Sequence, residues 1–153
     1  MVDNPIDGGG TLPMLITLPP ALSDTYMGVA SAMLGGVNAL AGSATRHTLP
    51  FAMLAAHALE CALKAYLSRQ GDDKAVRQHD VRHNLNLLWS MAHAGGLSIP
   101  SDPPAWVGIL SDIHNAPYHL RYSRGINAIS TPGAEPLTSE LNTILKTVYS
   151  QLR

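Results

Sequence analysis

Three polar side chains, His57, Glu60 and Lys64, interrupt the apolar stretch FAMLAAHALECALKAYL that runs from Phe51 to Leu67. At about 100° per residue, all three fall within roughly 60° of arc on one helix. Such a stripe has two readings. It is the one wet strip of an otherwise packed helix, with Glu60 and Lys64 as an ordinary i, i+4 pair. Alternatively it is a buried network, in which the Glu60 carboxylate needs a cation from another element. For that second reading Arg121 is the best candidate, so His57, Glu60, Lys64 and Arg121 form one expected buried group. Arg121 stands in PYHLRYSRG with Tyr122 and Arg124. Two guanidiniums and an aromatic ring beside a glycine can hold a phosphate or stack a base. Arg121, Tyr122 and Arg124 are therefore the expected phosphate-binding residues. The competing reading consumes Arg121 on Glu60 and leaves Arg124 solvated.

Other residues offer chemistry with less support. Arg77 and His83 are separated by five residues, a spacing that suits a phosphate-holding cation and a proton-transfer group, but seven histidines and seven arginines make such a match easy by chance. His83, ahead of a helix start, is favoured in its neutral form by the helix dipole. Arg121 and His83 are the catalytic candidates. Metal ligands would be expected at i, i+3 or i, i+4 on a helix. His114 and His119 are i, i+5 across Pro117, and Asp80 and His83 lie in a loop, so no metal site is expected and the histidines are read as structural. No cofactor is expected either: GGG at 8–10 lacks the Lys-Ser or Lys-Thr of a nucleotide-triphosphate loop. The single cysteine, Cys61, sits mid-stretch and reads as a small buried hydrophobe.

The elements that must position these groups read as helices. Charged residues make up 14% of the 153, below the roughly 25% usual for soluble domains, and the formal net charge is -1. A general polyanion binder would be strongly basic. The low charge favours a surface covered by a second copy of the chain. One cysteine and no basic n-region fit a reducing, cytoplasmic setting. Residues 25–45 carry no charge, but four glycines, two serines and an asparagine favour a close-packed helix over a membrane span. Residues 1–20 form a Pro- and Gly-rich arm, and residues 21–153 one helical domain. The first helix is expected over 21–44, capped by Ser23 or Asp24 and able to bend at Gly35-Gly36. A second runs from Thr48 to about Gln70, and Asp72 to Val81 is a polar loop. Asn84 caps a third, on which Leu85, Leu88, Trp89 and Ala92 repeat at helical spacing. Ser101 or Asp102 starts a fourth, with Trp106, Ile109, Leu110 and Ile113 inward, and Pro117 breaks it. A last helix spans 135–151, with Leu137, Leu141, Leu145, Val148 and Leu152 on one face. The class is all-α, an antiparallel bundle of about five helices.

HALECALKAYL, then RHNLNLLW, then HLRYSRG, in that order from Ala55 to Gly125, resembles the HEPN superfamily in its small prokaryotic branch. The resemblance implies an antiparallel bundle, often a homodimer. It implies either a metal-independent RNase, including toxins of toxin–antitoxin pairs, or an inactive relative that binds nucleotide, RNA or a partner protein, often a nucleotidyltransferase-like one. The RNase branch carries Arg-x(4–6)-His. After Arg121 the chain reads YSRGINAIS, with Asn127 where a histidine would have served. Asn cannot move a proton near neutral pH. The expectation is a non-catalytic binding module, with an endoribonuclease built on Arg121 and a purely structural subunit as alternatives.

Overall fold

The protein is described here from a computed structural model, over residues 21–122 and 128–153. Arg124 and Asn127, and the expected N-terminal arm, lie outside the described residues. Among those described there are no strands and six helices: α1 Leu22–Leu40, α2 Thr48–Leu67, α3 Lys74–Arg77, α4 Leu85–Ala94, α5 Ala105–His114 and α6 Leu137–Gln151. None of these helices is long and apolar enough to cross a membrane.

Helix α2 is the hub, packing against α1, α4, α5 and α6. Its sequence explains why. Alanines at 52, 55, 56, 58, 62 and 65 favour helix and leave little bulk, so neighbours approach on every side. Phe51, Leu59 and Leu63 fill the remaining space and are fully buried. Contact with α1 is close at Gly36, where an added Cβ would stand 2.7 Å from a Leu54 methyl. Gly36 thus serves helix approach, while α1 runs unbroken through Gly35-Gly36, without the expected bend, and ends at Leu40 in a 3-10 turn over Ala41–Ser43. Neither Ser23 nor Asp24 caps it, because the helix already begins at Leu22 and both fall in its first turn.

The segment expected as a polar loop after α2 holds the short helix α3, pinned by buried Val76. Asp73 beside it accepts a hydrogen bond from the Tyr26 hydroxyl of α1 at 3.1 Å. Asn84 caps α4 as expected, its Oδ1 accepting from the Leu87 amide at 3.0 Å, and Leu85, Leu88, Trp89 and Ala92 are all buried. Gly96, at φ +96°, turns the chain after α4 as only glycine does easily. Helix α5 starts at Ala105, later than expected, and stops at His114. Its inward face is Trp106, Val107, Leu110 and Ile113, with Ile109 only half-buried. The two indoles find acceptors: Trp89 Nε1 donates to Pro100 O at 2.8 Å and Trp106 Nε1 to Glu140 Oε2 at 2.6 Å. The second of these bonds ties α5 to α6, whose Leu137, Leu141, Leu145 and Val148 complete the core.

Candidate functional site

The stripe on α2 is not a wet strip. Glu60 and Lys64 are buried, and His57 is half-buried. Lys64 Nζ donates to Glu60 Oε1 at 2.7 Å within the helix. The other oxygen, Oε2, is met by His83 Nδ1 at 3.0 Å and by His114 Nε2 at 2.5 Å. His83 comes from the turn just before α4, and His114 is the last residue of α5. One carboxylate therefore joins three helical neighbourhoods.

Arg121 is not in this network, contrary to the expected Glu60–Arg121 pair. It is exposed and makes no ion pair or side-chain hydrogen bond among the described residues. The physical reason is competition. Glu60 already holds one ammonium and two imidazoles, so at most one of its four lone-pair directions remains, too few for a bidentate guanidinium. Arg121 lies beyond His114, in the wall of a cavity of about 230 Å³ shared with His57 and His114 and lined otherwise by Met33, Met53, Leu54 and Leu120. Two of the expected binding residues are thus described, Arg121 and Tyr122. Both are exposed, and the Tyr122 ring stands edge-on to Tyr118 with centroids 6.4 Å apart. Arg77 faces Asp73 at 3.0 Å rather than pairing with His83. His119 is half-buried and outside the cluster.

Protonation follows from the geometry. Burial alone would push the Glu60 carboxyl up, but the His114 hydrogen bond, the Lys64 charge and the His83 hydrogen bond outweigh it and hold the group well below the usual range. An ionised carboxylate only accepts, so each ring nitrogen facing Glu60 carries a proton. Desolvation lowers His83, more than its bond to Glu60 raises it, and desolvation likewise lowers His57. Near pH 7 both are neutral. A neutral His83 bonded through Nδ1 leaves Nε2 as the basic nitrogen. Burial pushes the Cys61 thiol up to about 12, which makes it inert, as its place in the sequence suggested.

Tyr118 is the one non-glycine residue with positive φ among the described residues, at 64°. This left-handed turn carries its ring to the edge of His83, centroids 5.6 Å apart at 88°. His83 in turn meets His114 edge-on, also at 5.6 Å. Strain of order 1–3 kcal/mol is held at such a position only where surroundings fix it.

The ligand-competent atoms of Glu60, His83 and His114 all lie within 4.8 Å of one another. Sequence spacing missed this set because its members stand 23 and 54 residues from Glu60. One signal did point to His114: it follows Val107 by seven residues and Leu110 by four, on the buried face of α5. No family model, curated protein or solved structure matches this chain.

Proposed function

We propose that the protein is a HEPN-like binding module for a phosphate-bearing ligand, a nucleotide or a segment of RNA, held in the cavity at Arg121. The observation that carries this is the state of Arg121: an exposed guanidinium in a cavity wall, with two histidines beside it and no acid partner among the described residues. A guanidinium without a carboxylate is suited to a bidentate phosphate. The methionine and leucine walls suit the apolar face of a base, and Tyr122 at the exposed end can stack another. The volume of about 230 Å³ is below the range typical of drug-sized ligands, roughly 300–1,000 Å³, which suits a phosphate and part of one nucleoside rather than a large cofactor.

The test is fluorescence anisotropy with a labelled single-stranded RNA and with a labelled mononucleotide, in EDTA, comparing wild type with Arg121→Ala. We expect salt-sensitive binding that weakens at least tenfold in the variant. Equal binding by both proteins sinks this reading.

A second reading has its own support. His57 and His114 line the cavity with Arg121, so a histidine stands near the guanidinium although Asn127 occupies the motif position. In an endoribonuclease of this kind, His114 would take the 2′-hydroxyl proton while Arg121 stabilises the charge developing on the phosphate. RNA cleavage in EDTA that Arg121→Ala and His114→Gln both abolish would establish it.

A further inference from the structure

The geometry points to a divalent transition-metal site, suited to Zn²⁺, formed by Glu60 Oε2, His83 Nδ1 and His114 Nε2, with a fourth position open toward the Arg121 cavity. The three donors come from α2, the turn before α4 and the end of α5, and their ligand atoms lie within 4.8 Å of one another. Two imidazoles and one carboxylate are the donor set of open, four-coordinate zinc sites and of other borderline divalent ions, whereas Mg²⁺ and Ca²⁺ prefer oxygen. Tetrahedral bonds of about 2.05 Å would place the three atoms roughly 3.3 Å apart. The 2.5 Å and 3.0 Å contacts to Oε2 therefore open slightly on binding, by less than an ångström.

In the metal-free protein both ring protons point at Oε2. Binding requires each imidazole to move its proton to the other ring nitrogen, which frees His83 Nδ1 and His114 Nε2 as ligands. The His83 side chain is 16% exposed, so its Nε2–H can turn to water. His114 belongs both to the triad and to the cavity wall, which gives an exchangeable fourth ligand access from that side. Lys64 remains on Oε1 at 2.7 Å and holds the carboxylate monodentate. It is also a competing cation. Zn²⁺, the Lys64 ammonium and one carboxylate sum to +2, so an anion in the cavity strengthens metal binding and the metal strengthens anion binding by the same factor.

This site does not rest on Arg121. The experiment is titration of EDTA-stripped, dialysed full-length protein with Zn²⁺ by calorimetry, and with Co²⁺ by visible absorption. We expect one equivalent per chain, with the Co²⁺ spectrum of a four-coordinate nitrogen and oxygen site and no thiolate band from Cys61. His83→Gln and His114→Gln each weaken binding at least tenfold. His79→Ala, in the same loop but outside the triad, leaves zinc binding intact. Lys64→Met, which removes the competing cation, tightens it. Absence of stoichiometric binding by wild type overturns the proposal, as does binding that both glutamine variants retain. Circular dichroism of each variant separates loss of the site from loss of the fold.

Discussion

At the scale of the residue, Glu60 decides most. It is 3% exposed, and its two oxygens take one ammonium and two imidazoles. Removing it strands Lys64 inside the core, 6% exposed, with two ring N–H groups left facing an apolar void. Breaking a buried pair from one side is destabilising by about 3–5 kcal/mol. We expect Glu60→Ala to fall in that range in urea unfolding, with the slope of the transition unchanged. A loss under about 1 kcal/mol would mean that the stripe behaves as a solvated pair. That Glu60 needed a partner was legible in the sequence, because a carboxylate amid alanines and leucines cannot stay alone. Which partner was not. Arg121 was a reasonable choice by charge, yet the ring nitrogens of His83 and His114 satisfied the oxygen instead, and only the packing of α4 and α5 on α2 brings them there.

Among the elements, α1 and α2 show how small residues set geometry. Gly35 and Gly36 are adjacent but differ in what they face: nothing lies within 4 Å of a Cβ added at Gly35, while at Gly36 it meets Leu54. Gly35→Ala should raise stability by up to about 1 kcal/mol through helix propensity alone. Gly36→Val should lower it by about 1–3 kcal/mol, since a branched side chain needs more room than one rotated methyl can give. Equal effects at both positions would contradict the close approach, and thermal melts of the pair are sufficient to see it. Helix content was readable from periodicity and turn chemistry, as Asn84 and the α4 stripe demonstrate. Boundaries were read less well. The starts expected at Ser23 or Asp24 and at Ser101 or Asp102 are not used: α1 begins one residue before Ser23 and α5 three residues after Asp102, neither with a side-chain cap. Helix α3 escaped notice because four residues carry too little pattern; its one core contact, Val76, is a tertiary matter.

Over the whole molecule, titration sets a window of stability. His57 and His83 are held below their ordinary value of 6.5, and Glu60 below 4.5. The folded state thus binds fewer protons than the unfolded one at these groups, so stability falls as pH drops below about 6.5 and continues to fall through the carboxylate range. Tyr26, through burial and its bond to Asp73, is raised from 10.0 to about 12, and Cys61 from 9.0 to about 12. There the folded state keeps protons that the unfolded chain loses, so stability falls again above about pH 9. We expect the melting temperature to be flat between about pH 7 and 9 and to decline on both sides. A maximum near pH 5 would contradict the neutral histidines. The shared carboxylate has one more implication, for descent with modification. Because Lys64, His83 and His114 all answer to Glu60, replacing any one alone leaves a charge or a donor stranded. Change at these four positions should therefore arrive in sets, and lineages that lose Glu60 should have lost its companions too.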